Sequence, residues 1–98
     1  MPKKAYWISV YRSIKDPAKL KAYAELAPPA TTPFGAKYLC RGNPQATYEA
    51  GEKQRIVITE FPSLKAAIDA HDSPGYQKAL AALGDGAVRD IRIIEGLE

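Results

Sequence analysis

Four stretches of this chain have the period-two, β-branched and aromatic character of strands, and they are interleaved with helical stretches in one order. The strand-like stretches are "AYWISVY" at 5–11, "AKYLCR" at 36–41, "QRIVITEF" at 54–61 and "VRDIRIIE" at 88–95. Between the first two, Asp16 stands where a helix cap belongs and Pro17 at a first helical position. Leu20, Tyr23, Ala24 and Ala27 then recur at i, i+3, i+4 and i+7, which makes one apolar stripe. Pro28 and Pro29 are expected to stop or kink that helix. After the third strand, Ser63 caps a second helix with the stripe Leu64, Ala67, Ile68 and His71. Ser73 and Pro74 restart it as a further piece with the stripe Tyr76, Ala79, Leu80 and Leu83.

The order strand, helix, two strands, broken helix, strand is βαββαβ, the ferredoxin-like α+β arrangement. Right-handed crossovers put the four strands in one antiparallel sheet with the helices on one face. A single domain over residues 1–98 is expected, and a core of that size is small. The other face of the sheet constrains the assembly. Tyr6, Ile8 and Val10 alternate with Trp7, Ser9 and Tyr11, and Ile56 and Ile58 with Val57, Thr59 and Phe61. Both faces are therefore apolar, whereas a sheet with one wet face shows polar alternation. The helices cover one face. The expected cover for the other is a second copy of the chain, giving a homodimer with the two sheets packed as a barrel.

Composition excludes several function classes. The formal net charge is +3, and no run of basic residues is longer than two, so the charge clustering of nucleic-acid binders is missing. No stretch approaches the roughly 20 apolar residues of a membrane span. The N-terminal "MPKKAYWISVYR" lacks the apolar core of a signal peptide, and a cytoplasmic location is expected. One cysteine and one histidine cannot make a four-ligand zinc site, so no metal and no cofactor are expected. Phosphate-binding loops, dinucleotide fingerprints and nucleophile elbows do not occur.

Several segments together resemble a known family. "EFPSLKAAIDAHDSPGYQKAL" at 60–80, "YLCRGN" at 38–43, "DPAKLKAYAELAP" at 16–28 and "IIEG" at 93–96 are similar to the signatures of domain-of-unknown-function family 1330, small bacterial proteins of the dimeric α/β-barrel superfamily. The resemblance spans about residues 5–96. It implies a ferredoxin-like dimer and no established reaction. Cofactor-independent monooxygenases, lactone isomerases, haem-degrading enzymes and ligand sensors share that scaffold. The chain departs from the family in two places. Leu83 stands about where relatives carry Arg, and Gly35-Ala36 replaces a Gly-Gly pair.

Three residues are candidates for catalysis. His71 is the only histidine, lies on the apolar side of its helix, and suits acid–base work near neutral pH. Its bland alternative is a half-buried ring satisfied by a backbone carbonyl near the break at Ser73. Arg41, beside Gly42 at a strand end, could grip a carboxylate through two parallel hydrogen bonds, or pair with Glu60 or Glu95. Glu60 could serve as a base if buried, or pair with Arg41. Trp7, Tyr11, Tyr38 and Tyr76 could line a pocket for a flat or apolar molecule, or form core and interface. Cys40 reads as a buried, inert thiol. Two functions stay open. One is a homodimer binding a small organic molecule between sheet and helices, with cofactor-independent proton transfer or oxygenation as the chemistry if it is an enzyme. The other is a non-catalytic dimeric binding or structural module.

Overall fold

A computed structural model describes residues 3–97. The elements follow in the order β1 (Ala5–Ile14), α1 (Pro17–Thr31), β2 (Lys37–Gly42), β3 (Ile56–Phe61), α2 (Leu64–Asp72), α3 (Pro74–Leu83) and β4 (Ala87–Glu95). The strands make one antiparallel sheet, ordered β2-β3-β1-β4. This is the ferredoxin-like α+β fold that the βαββαβ order predicts, with β1 and β3 central and β2 and β4 at the edges. Among the described residues, no helix is long and apolar enough to cross a membrane.

The helix boundaries follow from capping. Asp16 accepts from the N–H groups of Ala18 and Lys19 at 3.0 and 3.3 Å. Ser73 serves two helices at once: its hydroxyl donates to Ala70 O at 2.7 Å and accepts from Tyr76 N at 3.3 Å. The expected break at Pro28-Pro29 does not occur, because α1 runs on to Thr31. Pro28 and Pro29 each lack the N–H that would bond the carbonyl four residues back, at Ala24 and Glu25, and the helix continues past both without those bonds. The hydroxyls of Thr31 and Thr32 bond to the carbonyls of Ala27 and Pro28 at 3.0 and 2.7 Å. Gly35, in the left-handed region at φ 91°, then ends the turn.

The core lies between the sheet and the helices. Ala5, Trp7, Val57 and Phe61 point up from the sheet, and Tyr23, Ala27, Ala67, Ala70, Tyr76, Ala79 and Leu83 point down. Alanines at the helix contacts let the backbones approach, and the rings fill the remaining space. Trp7 packs edge-on to Tyr76 at 4.8 Å and stacks on Phe61 at 6.1 Å. Phe61 and Tyr76 are fully buried, each worth about 1.5–3 kcal/mol of transfer free energy. On the opposite face, cross-strand partners group Tyr6, Ile8, Val10, Ile56, Ile58 and Ile94. No helix covers them, as the two-sided apolar pattern predicts.

Two β-bulges interrupt the alternation. In β2, Tyr38 pairs with Thr59 but Cys40 pairs with Ile58, so Leu39 is the extra residue. In β1, Tyr11 pairs with Arg89 and Ser13 with Val88, so Arg12 is extra. The first bulge decides what the site contains. It turns Cys40 to the helix-free face, opposite Ile58, where it is exposed rather than buried as the sequence suggested. It also brings Arg41, paired with Val57, onto the helix face beside Tyr38.

Candidate functional site

Between the sheet and α1 lies a cavity of about 40 Å³. β1 contributes Trp7, Ser9 and Tyr11; β3 contributes Val57 and Thr59; Tyr23 comes from α1 and Tyr76 from α3. Tyr38 and Arg41 of β2 close one side together with Arg55, which precedes β3. Arg55 keeps the ladder's alignment because its carbonyl accepts from Tyr11 N at 2.9 Å. Trp7, Ser9, Tyr11, Thr59 and Tyr76 are buried, whereas Arg41 is exposed and marks the mouth.

The walls carry hydroxyls that are paired to one another. Tyr23 and Tyr76 share a hydrogen bond at 2.7 Å, and Tyr38 and Thr31 share one at 3.0 Å. Burial pushes the phenols of Tyr23, Tyr38 and Tyr76 above their ordinary pKa, and in Tyr23 the neighbouring Tyr76 adds to the shift. These groups are neutral phenols at physiological pH. They offer hydrogen bonds and do not serve as phenolate bases.

The positive charge is distributed unevenly. The chain has five arginines. Arg12 and Arg92 share Asp90, which holds its carboxyl below the usual range mainly through the Arg92 hydrogen bond. The other three lie on the helix side, and among the described residues none has an ion pair. Arg55 and Arg89 stand over the Tyr11 ring at 6.0 and 5.6 Å, and Arg89 also over Tyr23 at 4.6 Å. Among the described residues, no carboxylate or histidine lines the cavity. Three buried donors lack a partner among the described residues: Trp7 Nε1, Arg55 Nε and an Arg89 Nη. Trp7 and Arg55 both face the cavity.

Five of the seven residues singled out from the sequence meet here: Trp7, Tyr11, Tyr38, Tyr76 and Arg41. The structure does not bring Glu60 or His71 to them. Glu60 sits opposite Tyr6 on the helix-free face and pairs with Lys4 at 3.4 Å, so the expected pairing with Arg41 is absent. Glu95, opposite Ala5 in β4, does not pair with Arg41 either. His71 lies in a shallow groove with Ile68, Ile91 and Ile93, outside the cavity. Its ring is 5.4 Å from Trp7 and 5.2 Å from Tyr76. Its Nδ1 meets the Asp72 carboxylate at 3.0 Å, in place of the backbone carbonyl expected for it. Arg55 and Arg89 were not foreseen as site residues. Both lie within the strands expected at 54–61 and 88–95, and the alternation there finds them, since residue 55 shares a face with 57 and 59, and 89 with 91 and 93.

The family model for the domain of unknown function DUF1330 matches residues 4–97. The chain belongs to the DUF1330 family. No curated protein matches it. Solved structures share its fold at low identity. A protein of unknown function from Rhodopseudomonas palustris is 17% identical, with a TM-score of 0.75 over 100% of this DUF1330 chain and 85% of its own. A dimeric ferredoxin-like protein of unknown function from Thermobifida fusca is 19% identical, with a TM-score of 0.67 over 98% and 93%. SnoaB, a cofactor-independent oxygenase from Streptomyces nogalater, is 10% identical, with a TM-score of 0.65 over 98% and 95%. At these identities the likeness is one of fold, which hosts unrelated functions.

Proposed function

We propose that this DUF1330 protein is a homodimer that binds a small organic molecule in the cavity between its sheet and helices. The observation that carries the binding reading is the orphaned indole N–H of Trp7, a residue only 4% exposed, in the wall of an aromatic cavity. A buried donor without an acceptor costs about 1–3 kcal/mol. A ligand oxygen beside it relieves that cost. A volume of about 40 Å³ has room for roughly three water-sized groups, so the cavity takes the short end of a molecule that reaches its mouth at Arg41.

Trp7, Tyr11, Tyr38 and Tyr76 supply the aromatic wall in this reading, and Arg41 and Arg55 the polar anchors. The lining holds guanidinium groups and neutral hydroxyls but no group with the basicity to take a proton near pH 7. Any chemistry in the cavity therefore acts on a substrate that arrives already ionised, and the cofactor-independent oxygenase among the structural neighbours is compatible with that. His71 and Glu60, outside the cavity, are given no step. The dimer rests on the uncovered stripe of Ile8, Ile58, Val10 and Ile56, and on the dimeric relative of the same fold.

Trp7 is the only tryptophan, so its fluorescence reports the cavity alone. A screen of small aromatic and aliphatic compounds is expected to yield saturable changes in Trp7 emission. A Trp7 signal unmoved by every compound refutes the binding reading. Sedimentation at low protein concentration is expected to give a dimer, and Ile58→Lys a monomer. A monomeric parent chain refutes the dimer.

A further inference from the structure

Resting on that cavity reading, we infer that its ligand is an organic acid bound as the anion, its negative group held by Arg41 and Arg55 and its apolar part directed at Trp7 and Tyr76. The argument starts from the bulge at Leu39. Counted by strict alternation from Tyr38, Arg41 belongs on the helix-free face. The extra residue moves it to the helix face, opposite Val57. Arg55 lies two residues before Val57, so Arg41 and Arg55 are diagonal neighbours on adjacent strands. Such pairs sit about 7–8 Å apart at the backbone, within reach of two long side chains converging on one group. A bulge next to a binding site characteristically re-aims one side chain in this way.

Charge sorting points the same way. Arg12 and Arg92, facing away from the helices, have the Asp90 carboxylate. Arg41 and Arg55 line a cavity with no acidic side chain among the described residues, and the Arg55 Nε is buried there without an acceptor from them. Arg89 adds a third positive charge behind Tyr11 and Tyr23. A guanidinium is always charged and can only donate, so what it lacks is an acceptor, and a planar carboxylate fits its fork with two parallel bonds. A neutral ligand leaves the positive potential of this pocket unanswered. A cation is repelled by it.

The test compares isosteric pairs: benzoate with benzamide and butyrate with butyramide, by Trp7 fluorescence and calorimetry at pH 7. Each acid is expected to bind at least tenfold tighter than its amide. Arg41→Gln and Arg55→Gln are each expected to weaken the acids about tenfold and to weaken the amides less, so that the acid-over-amide ratio falls toward one. Arg41→Lys, which keeps the charge and loses the fork, is expected to recover part of the loss. Arg41 is exposed, so its variants fold whatever they do to binding. Amides binding as tightly as acids, or acid affinity unmoved by both glutamine variants, overturns the anion inference and leaves the cavity reading standing. Failure of all four probes to bind overturns both.

Discussion

The paired phenols of Tyr23 and Tyr76 give the sharpest energetic prediction of this structure. Their hydroxyls are 2.7 Å apart at positions 9% and 1% exposed. Tyr76→Phe removes one hydroxyl and leaves the ring, so the edge contact with Tyr23 at 5.9 Å persists. What remains is a Tyr23 hydroxyl with no acceptor. Arg89 stands over that ring but cannot accept a hydrogen bond. Stranding a buried polar group costs about 1–3 kcal/mol, so each single variant is expected to lose about that much. The double variant removes both groups, leaves neither stranded, and is expected to lose no more than one single variant does. The coupling is therefore about 1 kcal/mol or more, against the near-zero value of independent sites. In a chain of 98 residues, about 1 kcal/mol corresponds to a melting shift of roughly 4–8 °C. Urea unfolding followed by Trp7 fluorescence measures all four species, with equal m-values as the check that only stability has changed. Additive losses in the double variant would refute the shared hydrogen bond.

Three further outcomes follow from the same geometry. Ser73→Ala uncouples the end of α2 from the start of α3 and is expected to cost about 1–2 kcal/mol by chemical denaturation; a loss under about 0.3 kcal/mol contradicts the double capping role. Gly35→Ala puts a Cβ 2.8 Å from the Pro62 ring at a φ of 91°, and should lose more than 1 kcal/mol of stability, whereas a neutral or stabilised variant excludes the strain. The raised pKa values of Tyr23, Tyr38 and Tyr76 make stability constant below the unfolded value of 10.0 and decreasing as pH rises above it, because the unfolded chain releases protons that the folded one keeps. Absorbance of tyrosinate from these three should therefore appear together with loss of the near-ultraviolet dichroism, and ionisation inside a still-folded protein contradicts it.

The sequence carried the architecture because each element announces itself twice. β1 has a β-branched and aromatic run, and α3 has both a capping Ser73 and the stripe ending at Leu83. Trp7 and Tyr76 were legible as cavity residues on the same grounds, as their faces follow from periodicity. Arg41 was legible as a residue but not as a direction. In "YLCRG", Leu39 and Cys40 are both apolar, so the pattern carries no parity signal, and nothing marks which residue the ladder skips. The course of α1 through Pro28 and Pro29 was hidden for a related reason: local propensity is outweighed where only the final turns are at stake and threonine hydroxyls bond to the carbonyls there. The contact between His71 and Asp72 was not legible, because Asp72 falls off the stripe of Leu64, Ala67, Ile68 and His71 and by that pattern faces water. It is the last residue of α2, and the two side chains meet there all the same.

The arrangement of arginines links these local irregularities to stability. Both bulges follow a tyrosine on the cavity wall, at Tyr38 and Tyr11. One sends Arg41 inward; at the other, Arg12 reaches Asp90 beside Arg92. The result is a sheet with its carboxylate-paired guanidiniums outside and its unpaired ones inside. Unpaired donors under a helix layer weaken a small core, and replacing them with apolar residues is a change that folding alone would favour. Cation–π contact with Tyr11 and Tyr23 offsets part of that cost, and the exposed position of Arg41 another part. What remains is available to a ligand. An anion that binds only the folded state and satisfies Arg41, Arg55 and the Trp7 indole raises the stability of the protein with its concentration. The same donors that make the free protein less stable thus make its stability depend on what occupies the cavity.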